Sequence, residues 1–547
     1  MKKYLIRFTA LCALVTMVVA CNSGEKEEAN ARIPIENSTF ALYLDVNQIL
    51  QKSGIAPQLQ LLASAVSSEF EDPKDAEFIT SIIKNLDNSG IRFSEPLYAI
   101  GEIDMDEQSN QPNIAGQIYV MGEVCNVDKV DYLIDLLNRI SGANIYVTKD
   151  GNTRYIQLGD EAYIAYNPSR IVLATSNSDA FESTKKLLTR NHYDLSIFGD
   201  RDVAAYVNIK GLLDLIKVSY PELYDMWASV GENIADNSAV TFGLSFKPGA
   251  ITLDMQTYNL PEMGAMKEVS FDHLAQLPNS TVAVMDMGFD GPAIVETLKS
   301  VITNDLAAQC GLPINDFNAI KNIIFDGLSS ISGDVTLAVT ELDGTIDEVY
   351  DSYYDYYWDE WEYYSYTDVD MTGTQIALLA DTRNEYIISN LAIAVGNMLE
   401  FKGHNHYRLD FGSGVVDIKQ DDNLLHGICQ VTMNDFRYFF EDPFYVDGKT
   451  LSNARWINDV KNSCAYVLLD IKAAKNSPFG ESLMSYINSD IDYPANKIAS
   501  DIINMSSHIY IAGTSDKVEL TWKFTNTDVN ALNQIVRLVL SYAVGSF

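Results

Sequence analysis

Apolar, strand-like runs recur along this chain in the same order, and that recurrence constrains the fold more than any single motif does. Phe40-Ala41-Leu42-Tyr43-Leu44-Asp45 and Val282-Ala283-Val284-Met285-Asp286-Met287 stand 242 residues apart, each followed by a helical stretch. Gln117, Ile118, Asn126, Val130, Leu133, Leu137 and Ile140 return as Gln375, Ile376, Asn384, Ile388, Leu391, Val395 and Met398, at a spacing of 258. That run holds a strand and then apolar positions at helical intervals. Ala205-Tyr206-Val207 returns as Ala465-Tyr466-Val467, and Ile251 and Leu253 as Val518 and Leu520. Any one of these pairs is within reach of chance. Four in one order, with a spacing that drifts slowly upward, read as two copies of one domain-sized unit. Two copies are too few for a solenoid.

A chain of 547 residues is long enough for two such cores. The spacing predicts a first unit over 38–260 and a second over 278–547, with Pro261, Gly264 and Pro278 interrupting the pattern between them. Within the first unit, strands are expected at Phe40–Val46, Leu97–Ile103, Ala115–Gly122, Tyr163–Tyr166, Ile171–Thr175, Ala204–Ile209, Val240–Phe246 and Ile251–Gln256. Turn chemistry at Asn167-Pro168-Ser169-Arg170 and Lys247-Pro248-Gly249 joins neighbouring strands as hairpins. Helices are expected at Ala76–Leu86, Val127–Ile140 and Ala180–Leu188. The fold class is therefore α+β: two tandem homologous units, each a largely antiparallel sheet covered by helices.

Residues 1–20 read as a lipoprotein signal peptide. Lys2, Lys3 and Arg7 precede a short apolar stretch that ends Val18-Val19-Ala20-Cys21. Cys21 is the expected lipid-attachment residue, and triple acylation there supplies more than the two signals stable anchoring needs. Residues 21–37 are polar and form a flexible acidic tether. Glu25-Lys26-Glu27-Glu28 is similar to the acidic export signal of Bacteroidota lipoproteins, which implies the outer membrane, facing either the periplasm or the cell surface. Ile33-Pro34, Leu44-Asp45-Val46, Lys52-Ser53-Gly54, Ser89-Gly90-Ile91 and Glu95-Pro96-Leu97-Tyr98 together resemble the Bacteroidota envelope lipoproteins catalogued as domain of unknown function 4836. That resemblance implies a compartment and an architecture, and carries no catalytic residue with it.

The copies differ most after equivalent strand ends at Glu102 and Glu341, where the second carries extra chain. Residues 346–370 contain eight tyrosines, two tryptophans, nine carboxylates and no Lys or Arg. A loop enlarged on a shared scaffold is a common place for function. Tyr353, Tyr354, Tyr356, Tyr357, Trp358, Trp361, Tyr363 and Tyr364 are the candidate ligand- or partner-binding residues, suited to stacking on sugars or docking a basic partner. The plainer alternative is a long twisted hairpin whose aromatics pair across strands. Asp368-x-Asp370-x-Thr372-Gly373 begins like a calcium loop, but Leu379 stands where the bidentate carboxylate belongs.

Standard catalytic motifs are absent from the sequence. There is no Gly-x-Ser-x-Gly, dinucleotide fingerprint, Walker loop or His-Glu-x-x-His. His404-Asn405-His406 offers two imidazoles on one face of a possible strand, and a hairpin-edge pair is favoured over a metal site. No metal and no cofactor is expected. Cys125, Cys310, Cys429 and Cys464 are too widely spaced for a disulfide framework and read as small buried residues. A net charge of −37 with no segregated basic face excludes nucleic acid as a partner. The expectation is a non-enzymatic binding or scaffolding protein, held to the membrane through its lipid, with a protein or glycan partner. The alternatives are a surface glycan- or peptide-capturing protein that uses the aromatic loop, and a hydrolase with a motif-free carboxylate site.

Overall fold

The computed structural model describes residues 38–545 except for short stretches, the longest of which are 220–233, 302–313 and 433–443. The residues expected to form a signal peptide and a tether, Cys21 among them, lie outside the described residues, as does Cys310. The chain is a mixture of helices and strands with large antiparallel sheet. Two compact units are present, one within Glu25–Pro261 and Thr527–Phe547 and the other within Glu262–Asn526.

The first unit contains β1 (Phe40–Leu44), β2 (Leu97–Met105), β3 (Ile114–Glu123), β4 (Val147–Asp150), β5 (Thr153–Gln157), β6 (Ala162–Tyr166), β7 (Arg170–Thr175), β8 (Val203–Asn208), β9 (Ala239–Lys247) and β10 (Ala250–Tyr258). All pairings are antiparallel, in the order β4-β5-β6-β7-β3-β2-β1-β8-β9-β10. One face of this sheet buries Ala41, Tyr43, Ile100, Tyr119, Val172 and Tyr206 together with Leu187 and Leu188 of the helix Ala180–Thr189.

Local chemistry sets where these elements begin and end. The expected strand to Val46 stops at Leu44, because Asp45 accepts a hydrogen bond from the Gln48 amide at 2.8 Å and caps a helix over Val46–Ser53. Gly54 closes that helix in the left-handed conformation, which a side chain would resist. Asn126 caps Val127–Ser141 in the same way, bonding the Lys129 amide at 3.0 Å.

The second unit contains β11 (Met266–Lys267), β12 (Ala283–Asp290), β13 (Ile331–Glu341), β14 (Thr345–Asp355), β15 (Glu360–Asp370), β16 (Gln375–Thr382), β17 (Glu400–Gly403), β18 (His406–Asp410), β19 (Gly414–Asp421), β20 (Leu424–Val431), β21 (Ala465–Asp470), β22 (Ser506–Gly513) and β23 (Lys517–Phe524). Its antiparallel order is β17-β18-β19-β20-β16-β13-β12-β21-β22-β23. Taken strand for strand along the chain, this is the order of the first unit. Its buried face packs Val284, Ala338, Leu379, Tyr466 and Leu468 against Leu274, Leu277, Trp456 and Val460.

Two expectations change. The second unit does not run to residue 547. The C-terminal helix Ala531–Gly545 packs within the first unit, where Asn533 Nδ2 donates to the Ser53 carbonyl at 3.0 Å and Asn530 Nδ2 to the Phe246 carbonyl at 2.9 Å. The correspondence of β1 with β12 also shifts. Ala41 and Tyr43 are buried in β1, whereas Val284 and Asp286 are buried in β12, so a spacing of 242 would set inward residues against outward ones. Ala41 pairs with Tyr206, and Asp286 pairs with Tyr466. Through β8 and β21 this puts Asp286 in the place of Ala41, whereas through β2, β3, β13 and β16 the register puts Val284 there.

Candidate functional site

The segment singled out for its tyrosines folds as a hairpin. β14 and β15 pair with each other in register over their whole length and form a two-stranded sheet of their own. Tyr353 pairs with Glu362 and Tyr354 with Trp361. Tyr356, Tyr357 and Trp358 lie outside the described residues. Alternation places Tyr350, Trp361 and Tyr363 on one face, and Asp347, Asp351, Tyr364, Tyr366 and Asp368 on the other. Tyr363 is 81 % and Tyr350 76 % exposed, and Trp361, Tyr364 and Tyr366 are exposed as well.

Tyr364 stacks on Tyr366 with ring centroids 6.1 Å apart, and its hydroxyl donates to Asp351 Oδ2 at 3.1 Å. That hydrogen bond raises the Tyr364 phenol above its ordinary pKa, so the ring is neutral at physiological pH. The hairpin is joined at its base to the helix Pro478–Ser489, where the Ile346 amide donates to Ser482 Oγ at 2.8 Å and the Thr367 and Tyr486 hydroxyls lie 3.0 Å apart. The arrangement offers aromatic faces and carboxylates on an exposed arm, and it can hold a ligand by stacking and hydrogen bonding.

Sequence reasoning missed a second polar constellation, inside the sheet of the second unit. Asp286 Oδ1 accepts from Thr336 Oγ1 at 2.8 Å, and Tyr466 donates to Asp286 Oδ2 at 3.4 Å. His273 Nδ1 lies 2.7 Å from Thr336 Oγ1, and its Nε2 lies 3.1 Å from Asp381 Oδ1. Asp381 Oδ2 accepts from the Asp334 amide at 2.8 Å. Asp286 and Thr336 are wholly buried. Burial pushes the Asp286 carboxyl up to about 7, with the nearby Asp334 adding to the rise and the Thr336 hydrogen bond opposing it.

The hydroxyl of Thr336 can donate in one direction only. With Asp286 ionised, Thr336 donates to it and accepts from His273 Nδ1–H. With Asp286 protonated, the chain reverses: Asp286 donates to Thr336, Thr336 to Nδ1, and Nε2–H to Asp381. An acid, an imidazole and a hydroxyl in line resemble a nucleophile relay, but a hydroxyl with no exposed surface cannot meet a substrate. The one sequence sign of this network was Asp286 itself, a carboxylate inside an apolar strand.

His404 and Asn405 both have positive φ and form the turn between β17 and β18, so the two imidazoles do not share a strand face. His406 Nε2 lies 2.7 Å from Asp417 Oδ1, and Arg408 holds the same carboxylate with two bonds of 2.9 Å. Among the described residues no cluster of three or more His, Cys, Asp or Glu is arranged to hold a metal ion. The thiols of Cys125, Cys429 and Cys464 are free; Cys464 is buried as expected, but Cys125 is exposed. Among the described residues no helix is long and apolar enough to cross a membrane.

No protein-family model matches the chain, and no curated protein does. Solved structures of TP0453 overlap part of it. Crystal form I covers 41 % of this chain and 76 % of its own at 11 % identity and a TM-score of 0.21. Crystal form IV covers 40 % and 76 % at 13 % identity and a TM-score of 0.22, a similarity too slight to carry fold or function across.

Proposed function

We propose that this chain is a lipid-anchored protein of the bacterial outer membrane, a member of the domain of unknown function 4836 family, that works by binding rather than by catalysis. Cys21 carries the lipid, residues 21–37 form the tether, and two units descended from one ancestor form the body. Their common strand order supports the shared descent. The hairpin 345–370 is the element that captures a glycan or peptide.

The exposed hairpin carries this reading. A two-stranded hairpin has no core of its own, so exposed Tyr350 and Tyr363 contribute little to folding and are available for contact. Replacing 345–370 by a short Gly-Ser turn, with the fold checked by circular dichroism, tests it on an array of glycans and peptides. Binding that is lost on replacement supports capture by the hairpin, and binding that persists refutes it. Incorporation of labelled palmitate that disappears in Cys21→Ser tests the anchor, and protease treatment of intact cells reports which side of the membrane the body faces.

A further inference from the structure

Three links join the buried Asp286 to the surface: Asp286 to Thr336, Thr336 to His273 Nδ1, and His273 Nε2 to Asp381. Each link needs one proton to be a hydrogen bond. The Thr336 hydroxyl always brings one, so the chain is complete only when Asp286 and His273 together supply two more. Loss of one of these leaves a lone pair facing a lone pair at one link, whichever of the two groups held the proton. Asp286 and Thr336 are wholly buried and His273 is 4 % exposed, whereas the Asp381 side chain is 40 % exposed. Water can replace the missing bond only at the Asp381 end, so that is the link that breaks.

Asp381 holds more than the imidazole. Ile331 pairs with Thr382 and Val335 with Ala380, so residues 332–334 of β13 bulge opposite Asp381 alone. Across the bulge Asp381 Oδ2 accepts from the Asp334 amide at 2.8 Å. Gly333 sits there at a φ of 132°, and a Cβ on it would strike the Asp381 carboxylate. Asp334 Oδ2 in turn accepts from the Ser270 amide at 2.9 Å and its hydroxyl at 2.6 Å. Ser270 and His273 thus tie the turn Asp272–Gln276 to the bulge through two neighbouring carboxylates. Between them Phe271 is held at a φ of 66°, a left-handed conformation that a side chain resists.

We propose that His273 is a proton-operated latch: it fastens the turn Asp272–Gln276 to the β13 bulge while Asp286 and His273 hold two protons between the links, and it releases Asp381 when they hold one. Burial raises the Asp286 carboxyl to about 7, so the latch is fastened below neutrality and released above it. The titratable groups facing the chain are Asp334 from β13, Tyr466 from β21 and Asp381 from β16. Asp334 opposes ionisation of Asp286, and the Tyr466 hydroxyl bond favours it. Among the described residues no Lys or Arg is bonded to Asp286, Asp334 or Asp381, so no cation overrides the proton. The latch is separate from the hairpin and from the anchor.

The test uses the chain from Asn22 onward, which keeps both units whole, with its histidines labelled with nitrogen-15. Long-range proton–nitrogen spectra report which ring nitrogen of His273 carries a proton. Hydrogen exchange, corrected for its intrinsic dependence on pH, reports the Asp334 amide. Between pH 6 and pH 8 the proton on Nε2 should be lost while that on Nδ1 is present at pH 8, and protection of the Asp334 amide should fall about tenfold as the bond that positions Asp381 is lost. Asp286→Asn keeps a donor toward Thr336, because Tyr466 donates to the other side of the group. It should hold the proton on Nε2 and keep Asp334 protected at both pH values. Thr336→Val cuts the chain and should abolish the pH dependence, although it lowers stability. Thr336→Ser, which keeps the hydroxyl, should retain it. Near-UV circular dichroism confirms that each variant is folded, and Asp286→Asn decides alone if Thr336→Val is not. An Nε2 proton that persists at pH 8 in the unaltered chain overturns the proposal. So does a loss of Asp334 protection that is equally large in Asp286→Asn.

Discussion

At the centre of the first unit's sheet, Ala41 lies between Ile100 and Tyr206; at the centre of the second, Asp286 lies between Thr336 and Tyr466. Both arrangements are fully buried and both sit in the same strand order. The first unit has buried carboxylates too, and two of them have a cation. Asp202 accepts from Lys52 Nζ at 2.6 Å and 2.8 Å, and Asp254 is paired with Arg201. Asp286 is held by two neutral hydroxyls. A buried carboxylate beside a cation stays ionised, whereas one beside hydroxyls is driven toward its neutral form. The comparison shows that one backbone plan accepts either solution, and that only the hydroxyl solution makes the core sensitive to pH near neutrality.

The sharpest way to break this comparison is to move the carboxylate. Ala41→Asp places a charge beside Ile100 with no cation, and should destabilise the first unit by about 3–5 kcal/mol at pH 8. Urea unfolding followed by near-UV circular dichroism measures it, and wild-type stability in this variant would show that the two stations are not equivalent.

Neutralising Asp286 is the next test. Its carboxyl titrates at about 7 in the folded protein against 3.8 for the ordinary group, so the folded state holds more protons between those values. The stabilisation due to protonation is complete below pH 3.8 and is lost as the pH rises through about 7. Asp286→Asn should therefore stabilise the protein at pH 8 by a few kcal/mol, at about 1.4 kcal/mol per pKa unit. The gain should shrink to nothing in acid. Denaturation series from pH 4 to 8 on both proteins check this, and parallel profiles would mean that Asp286 is ionised throughout.

A smaller effect separates the cores at their second position. Thr336→Val leaves Asp286 and His273 without the hydroxyl between them and should cost about 1–3 kcal/mol. Ile100→Val removes one methylene from the first unit and should cost about 0.5–1.5 kcal/mol. Thermal unfolding ranks the two, and a Thr336→Val cost below that of Ile100→Val would rule out a working hydrogen-bonded chain.

The smallest effect is at the hairpin, which among the described residues is found in the second unit. Ser482→Ala removes the bond to the Ile346 amide and should cost about 1 kcal/mol or less. Hydrogen exchange at Ile346 should quicken while Asp286 and its neighbours keep their protection. Global loss of protection would mean that the arm is part of the core.

Much of the fold was legible because burial writes a period into the chain. β7, β8 and β9 and the helices Val127–Ser141 and Ala180–Thr189 lie within a residue or two of their expected positions. The hairpin was legible from a composition without a single cation. The polar chain was not, because His273, Thr336 and Asp381 are ordinary residues far apart in sequence. They meet only when β13 pairs with β12 and β16 and the turn Asp272–Gln276 closes over them.

What the amino-acid order determined by itself was the alternation of strands, the capped starts of helices and the recurrence of similar strand sequences. These depend on neighbours within a few residues, or on a pattern repeated whole. Tertiary structure decided the rest. It gave the last helix to the first unit, turned Asp286 inward where a spacing of 242 would match it with the exposed Leu44, and turned an aliphatic row outward. The last two depend on strand register, which shifts every side chain from one face to the other when it slips by one residue.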